Sequence, residues 1–409
     1  MEFITRREFI KSTGIAAASA VSIAFLPGIA FSASSGEAAF AASAVIQPSF
    51  AAPAIALSGQ SFPFRLSPSG ARASIDSAWI ASPGGKPFIL SVENGHFIPT
   101  VPPPPGMYDL YLEVSMGASK RFEKQPLAVK IVEQFKTDYC FGAISDVHFG
   151  DPRISSMIKD FSVEETFKKE IQILNENQIE FCVCCGDLSF LPPRSKKEII
   201  DYADALTSAA KYPTFSVPGN HDGYTSGAGG KINFDTLAQW TRSFGVLDYS
   251  ASYGETAILG VNTYNASADK RNIFGGLGEV VDSGYVTDEQ LVTLDAMFAE
   301  AKKTSKLTIA LGHHNPTNTV KDVNGPFEIV PFTETGRLEL LSLFEKRSLD
   351  YFFCGHVHGI YRERYANTEI VTVPTAASRP ADGHPLAIYL VKVSDGKISD
   401  IETVKIAEL

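Results

Sequence analysis

The chain has 409 residues, of which 44% are hydrophobic and 20% are charged. These values are close to those of globular proteins, which excludes a disordered or fibrous chain, and the length predicts two or three domains. The net charge of −10 is concentrated after residue 136, where the chain carries −12. Nucleic acids are therefore not expected partners, because they bind clustered Lys and Arg.

Residues 1–44 have the pattern of an export signal. Arg6 and Arg7 precede an Ala-rich apolar stretch that runs from about residue 14 to residue 33. A basic segment followed by a weakly apolar stretch is typical of a secretory signal, and the paired arginines indicate the twin-arginine route. We expect the twin-arginine translocation machinery as a partner and a periplasmic or extracellular location. The alternative is an uncleaved anchor, since ~20 apolar residues can span a bilayer. After cleavage no stable membrane span is expected.

Residues 45–136 predict a small all-β domain. They hold short β-prone runs between Pro and Gly clusters, at residues 77–80, 88–92, 108–114 and 127–132. Short strands with regularly spaced turn signals favour an antiparallel sandwich. The segment 105–112 resembles the turn and strand of immunoglobulin-like modules, so the fold expected here is an immunoglobulin-like sandwich.

Residues 137–409 predict a layered α/β domain, because apolar strands alternate with amphipathic helices. Polar clusters follow the predicted strands at their carboxyl ends, where open α/β sheets gather their ligands. These clusters contain Asp146, His148, Asp187, Asn220, His221, Asp222, His313, His314, His356 and His358.

The residue types in these clusters predict a metal site. Carboxylate, amide and imidazole donors without a thiolate suit Mn, Fe or Zn rather than an iron–sulfur cluster. The five cysteines are odd in number, and four lie in apolar, strand-like runs. We interpret them as buried structural thiols, and not as metal ligands or disulfides.

The clusters, taken in order, resemble the signature of the calcineurin-like metallophosphoesterase superfamily. The resemblance implies a four-layer αββα sandwich with two metal ions. It also implies that Asp187 bridges the ions and that each ion has three further ligands: Asp146, His148 and His358 at one, and Asn220, His314 and His356 at the other. His314 is preferred to His313 because the family places this ligand two residues before a proline, here Pro316. The choice between the two histidines stays open.

His221 and Asp222 are the predicted catalytic pair. By resemblance His221 is not a ligand and faces the substrate, and Asp222 is expected to accept its other ring hydrogen. His221 would donate a proton to the leaving group or stabilise the phosphoryl oxygens. Purple acid phosphatases carry a tyrosine where this chain has Phe190, so an iron–tyrosinate pair is not expected.

The spacing of four predicted ligands suggests extended backbone. Asp146 and His148 are two residues apart, as are His356 and His358. In an extended segment, side chains two residues apart point to the same side. Both segments are therefore expected to be extended beside the ions.

These observations predict an exported dinuclear phosphoesterase that hydrolyses a small phosphodiester or phosphomonoester through a metal-bound hydroxide. Diesters are favoured because the first cluster has the Asp-x-His form. One alternative is a phosphate-ester binding or surface-recognition protein with a weakly active metal domain. A protein phosphatase is another.

Overall fold

The computed structural model describes residues 43–67, 73–153, 161–192, 194–228, 231–273, 282–319, 331–381 and 383–407. The predicted export segment lies almost entirely outside these residues. Within the described ranges, no helix has the length and apolar character needed to cross a bilayer.

The first part of the chain is all β. Its strands are β1 Val45–Gln47, β2 Ala54–Leu57, β3 Phe62–Pro63, β4 Arg65–Leu66, β5 Ser74–Ala81, β6 Phe88–Glu93, β7 His96–Pro99, β8 Gly106–Met116 and β9 Ser119–Val132. Seven of them form one sheet in the order β2-β9-β8-β5-β6-β7-β3, while β1 and β4 form a two-stranded ribbon. The β class is as predicted. The immunoglobulin-like assignment is not confirmed, because the described strands do not divide into two sheets of comparable size.

The second part contains two larger sheets and a short hairpin. Its strands are β10 Tyr139–Ile144, β11 Cys182–Cys184, β12 Thr214–Ser216, β13 Thr225–Ala228, β14 Lys231–Asp235, β15 Tyr249–Tyr253, β16 Thr256–Gly260, β17 Leu307–Leu311, β18 Tyr351–Cys354, β19 Tyr361–Tyr365, β20 Thr368–Thr372, β21 Leu386–Ser394 and β22 Lys397–Ala407. One sheet has the order β12-β11-β10-β21-β22 and the other β15-β16-β17-β18-β20-β19. Strands β10, β11 and β12 run parallel, as do β16, β17 and β18.

Five described helices complete this part. They are α1 Val163–Glu176, α2 Ser195–Ala209, α3 Thr236–Ser243, α4 Asp288–Thr304 and α5 Arg337–Arg347. Local sequence fixes several starts: Ser162, Asp235 and Thr287 each accept a hydrogen bond from a main-chain N–H in the first turn. Such capping satisfies donors that a helix leaves unpaired at its N-terminus.

The packing places the two sheets between two helical layers. Alternate residues of β11 face opposite sides: Cys182 packs with Phe167 of α1, while Val183 packs in the core that the two sheets share. On the far side of the second sheet, Phe352 packs against Phe344 of α5, with ring centroids 4.9 Å apart, and Phe298 of α4 belongs to the same core. The mixed α/β class is confirmed, and the layers follow the order helix, sheet, sheet, helix.

Buried contacts cross the predicted domain boundary at residue 136. The ring of Phe50 lies 4.8 Å from that of Phe244, centroid to centroid. Lys130 donates from Nζ to the Glu180 carboxylate at 3.0 Å. The β part therefore shares core with the α/β part, while the exact boundary stays a prediction. All five cysteines are free thiols.

Candidate metal centre

The predicted ligands meet at the carboxyl ends of the central strands. Asp146 and His148 follow β10, Asp187 follows β11 and Asn220 follows β12, while the histidine pairs follow β17 and β18. Carboxyl ends of parallel strands meet at one edge of a sheet, which explains why distant sequence blocks come together. The structure brings all seven predicted ligands into one buried cluster.

One part of the cluster contains Asp146, His148 and His358. The Nδ1–H of His358 donates to the main-chain oxygen of Arg379 at 2.5 Å, so a neutral ring presents its Nε2 lone pair. That Nε2 lies 3.2 Å from His148 Nε2 and 3.3 Å from Asp146 Oδ1.

The other part is centred on Asn220. Its Oδ1 lies 3.0 Å from His313 Nε2 and 3.1 Å from His356 Nδ1. His313 Nε2 is also 3.3 Å from Asp187 Oδ2, and that same carboxylate oxygen is 3.4 Å from His148 Nε2. Asp187 therefore contacts both parts of the cluster.

These atoms fit a metal site. The carboxylate and amide oxygens only accept, and an imidazole nitrogen without a hydrogen also accepts, so with neutral rings the arrangement is repulsive unless protons or cations lie between these atoms. Metal–nitrogen bonds of about 2.1 Å at right angles place neighbouring ligand atoms ~3 Å apart, which matches the observed spacings. The donor set of carboxylate, amide and imidazole suits Mn, Fe or Zn.

Charges in the cluster keep the carboxylates ionised. Burial alone would raise the pKa of Asp146, but His358 and His148 beside it lower that pKa well below its usual range. Burial acts in the same direction on Asp187, and the charge of His313 beside it is the largest of the effects that lower its pKa below the usual range. Both carboxylates are thus available as anionic ligands.

The backbone at the site is left-handed, not extended as predicted. The φ angles are +54° at Asp146, +50° at His148, +56° at Asp187, +73° at His356 and +53° at His358. Asp and His tolerate this region better than most residues, and such strain concentrates at functional sites. The paired side chains therefore converge through tight turns, which the residue spacing alone did not reveal.

Two glycines permit the close approach of these turns. A side chain at Gly219 would overlap Oδ1 of Asp187, and one at Gly355 would overlap Oγ of Ser145. The backbone can thus pass directly beside the carboxylates.

His313 and His314 occupy different positions in the cluster. His313 contacts Asn220 and Asp187 directly, whereas His314 lies beside His356, with ring centroids 4.7 Å apart. Both rings are fully buried. Proximity alone does not decide between them, so the choice between the two histidines as the ligand stays open.

The predicted pairing of His221 with Asp222 is wrong. His221 donates from Nδ1 to the main-chain oxygen of Phe190, while Asp222 accepts from the main-chain N–H groups of Leu188, Ser189 and Gly219. Adjacent residues in this turn point in different directions, so Asp222 anchors the loops around the site. His221 itself lies beside His148 and Asp187 as expected.

His221 is neutral in this setting. Burial lowers its pKa to about 3, against the opposing effect of Asp187. The ring stacks on Phe190, with centroids 5.6 Å apart.

Arg153 is a residue at the site that the sequence pattern did not single out. Its guanidinium carbon lies 4.8 Å from the centre of the Phe190 ring, and its Nε and Nη2 bind both carboxylate oxygens of Asp151. Asp151 is buried and also accepts from Ser378 Oγ at 2.9 Å. Only its position five residues after His148 could have indicated it.

Tyr224 is a residue that supports the site, a role that the sequence pattern did not indicate. Its hydroxyl accepts from Asn220 Nδ2 at 2.7 Å and donates to Asp282 at 2.5 Å. These two hydrogen bonds fix the amide of Asn220 so that Oδ1 faces His313 and His356.

The comparisons with known proteins identify the family. The calcineurin-like phosphoesterase model matches residues 141–359, more than half of the chain. A search of curated proteins found no significant match. The protein belongs to the calcineurin-like phosphoesterase family, and with its His and Asp clusters it is a metal-dependent phosphoesterase.

The solved structures found by comparison are distant in sequence. A dimetal phosphatase from Danio rerio is 14% identical, with 66% of this chain and 100% of that chain covered and a TM-score of 0.47. A purple acid phosphatase from yellow lupin (Lupinus luteus) seeds is 15% identical, with 84% and 71% covered and a TM-score of 0.48. PhoD is 9% identical, with 90% of each chain covered and a TM-score of 0.45.

Proposed function

We propose that this protein is an exported, dinuclear phosphoesterase that hydrolyses small phosphoesters, diesters ahead of monoesters. The observation that supports two ions is the position of Asp187. A single oxygen of its carboxylate contacts His148 on one side and His313 on the other. A carboxylate shared in this way is suited to bridging two cations.

The protein holds its metal-facing atoms in fixed orientations. Two bound cations would supply Lewis-acid polarisation of the phosphoryl group and lower the pKa of a nucleophilic water. The carbonyl oxygens of Arg379 and Cys185 accept the Nδ1–H of His358 and His313, which directs each Nε2 lone pair inward. Such outer contacts set the tautomer and the orientation of a ligand.

Two residues beside the cluster are suited to the substrate. His221 can exchange a hydrogen only through Nε2, because its Nδ1–H is donated to Phe190. Arg153 supplies a cation next to the same ring, held in place by buried Asp151. A guanidinium binds phosphoryl oxygens with well-defined geometry.

The preference for diesters rests on the Asp-x-His form of the first block, Asp146 to His148. Turnover of bis-(p-nitrophenyl) phosphate and of p-nitrophenyl phosphate should be compared on the same preparation. We expect kcat/KM to be higher for the diester. A monoester preference of more than about tenfold would overturn this ranking.

Export is proposed from the amino-terminal pattern alone. The twin-arginine pathway carries folded proteins, so metals would be loaded in the cytoplasm. Changing Arg6 and Arg7 to Lys should trap active, metal-filled protein inside the cell. The exposed Arg364, changed to Lys, is the matched control. Metal-free protein inside the cell, filled only after export, would contradict cytoplasmic loading.

A further inference from the structure

The two adjacent histidines after β17 differ in the ring nitrogen that carries the hydrogen. His313 Nδ1 lies 2.7 Å from the main-chain oxygen of Cys185. A carbonyl oxygen only accepts, so Nδ1 of His313 carries the hydrogen. In a neutral ring the lone pair is then on Nε2, the atom that faces Asn220 and Asp187.

The hydroxyl of Thr263 fixes the other histidine. It accepts from the main-chain N–H groups of His313 at 3.0 Å and His314 at 3.1 Å. These two bonds use both lone pairs of the oxygen, and its own hydrogen remains to be donated. His314 Nδ1 lies 3.0 Å from that oxygen. His314 therefore accepts at Nδ1 and carries its hydrogen on Nε2.

The Nε2–H of His314 has no acceptor within the described part of the chain, although the ring is fully buried. The ring is held in place by Tyr264, stacked at 5.7 Å, and by the edge contact with Phe332 at 6.4 Å. A buried donor without an acceptor is costly, and a bound ligand can remove that cost by supplying an oxygen.

His314 and His221 lie beside different parts of the cluster. His314 groups with His313 and His356, whereas His221 groups with His148 and Asp187. A phosphoryl group that spans both parts of the cluster would lie next to both rings. Its non-bridging oxygens are anionic acceptors, which suit a fixed N–H donor.

We propose that His314 is a catalytic residue whose Nε2–H donates a hydrogen bond to a non-bridging phosphoryl oxygen, and that His313 is the metal ligand of this loop. The assignment rests on the proposed function and specifies the contact that the site makes with the phosphoryl group. It gives His314 and His221 separate tasks, on the phosphoryl oxygens and at the leaving group respectively.

Matched substitutions test the assignment. His314→Gln keeps an N–H donor at about the same reach, while His314→Leu keeps volume without a donor. Both variants should retain the metal content of the wild type, measured by mass spectrometry, whereas His313→Leu should lose metal. Exposed His96, changed to Gln, is the control. Loss of metal from both His314 variants would overturn the proposal.

Activity and product binding distinguish a phosphoryl contact from a structural role. His314→Leu should lower kcat about 10²–10³-fold and weaken inhibition by orthophosphate about tenfold, while Gln restores most of both. The loss should be equal for p-nitrophenyl and alkyl esters. Unchanged orthophosphate inhibition in His314→Leu would overturn the contact.

The tautomer can be observed directly in the Zn²⁺-loaded protein labelled with ¹⁵N-histidine. Two-bond ¹H–¹⁵N spectra should show the hydrogen of His314 on Nε2, and a hydrogen on Nδ1 would contradict the proposal. If the wild type hydrolysed no phosphoester, the proposed function would fail. The tautomer, metal content and orthophosphate binding would still decide the role of His314.

Discussion

The ring of His221 donates its Nδ1 hydrogen to the main-chain oxygen of Phe190, and the same Phe190 ring stacks on it. The imidazole is thus fixed by a neutral acceptor and an apolar surface. Burial keeps it neutral before substrate arrives. Because the neutral ring carries its one hydrogen on Nδ1, His221 must first take up a proton at Nε2, from solvent or from the nucleophilic water, before it can give one to a leaving group.

His221→Ala should retain both metals and lose activity in a manner that depends on the leaving group. General acid help is worth roughly 10²–10⁴-fold and matters most for poor leaving groups. Alkyl phosphoesters should therefore suffer far more than p-nitrophenyl esters. Steady-state kinetics on both substrates measure the difference. Equal losses would leave only electrostatic stabilisation, and loss of a metal would place His221 among the ligands.

Arg153→Met should raise KM about tenfold with a smaller effect on kcat, because it removes the cation that we propose binds the phosphoryl oxygens. Asp151→Asn should have a similar, weaker effect, since Asp151 holds the guanidinium. The matched control is Lys270→Met, which removes a cation 4.9 Å from the centre of the Tyr285 ring. An unchanged KM in Arg153→Met would exclude contact with substrate.

Tyr224→Phe should weaken metal binding roughly 10–100-fold, because it removes the hydroxyl that holds the amide of Asn220. Isothermal titration calorimetry, in which metal is added to the metal-stripped protein, measures the affinity for the metal. Tyr285→Phe serves as the control for loss of a tyrosine hydroxyl in the same part of the chain. Wild-type affinity in Tyr224→Phe would show that Asn220 needs no such support.

The residue pattern indicated the site because the candidate ligands come directly after predicted strands. Each block, such as Asp146 after β10 or Asn220 after β12, follows an apolar strand, and parallel strands bring their carboxyl ends together. The α/β class and the clustering of predicted ligands could therefore be read from the chain.

The remaining details depend on contacts between distant segments. The carbonyl of Phe190 is 31 residues from His221, and the hydroxyl of Thr263 is 51 residues from His314. Every residue has a main-chain carbonyl, so the sequence does not reveal which carbonyl accepts a given hydrogen bond. Adjacency suggested Asp222 as the partner of His221, but the turn directs the two side chains apart.

Burial of Glu170 should make the stability of the fold depend on pH, separately from any effect of the metal centre. It is fully buried in α1, neither oxygen has a partner among the described residues, and burial raises its pKa well above 4.5. Above about pH 4.5 the folded state then binds more protons than the unfolded state. The free energy of unfolding therefore falls as the pH rises toward the pKa of the folded state.

Glu170→Met should raise stability by ~1–3 kcal/mol at pH 8 and by less at pH 5, because it removes this buried carboxyl. Chemical unfolding at the two pH values measures the difference. Exposed Glu176, on the same helix, changed to Met is the control. A gain in stability independent of pH would show that Glu170 is not titrating in this range.

The most direct test of the central claim is a metal titration of the stripped protein with Mn²⁺, in which bound metal and hydrolysis of bis-(p-nitrophenyl) phosphate are measured together. The account predicts two ions per chain, with turnover reaching its plateau at the second equivalent. Asp187→Ala, which removes the shared carboxylate, should lower both. Fewer than one ion per chain together with no turnover of any phosphoester would contradict a dinuclear phosphoesterase.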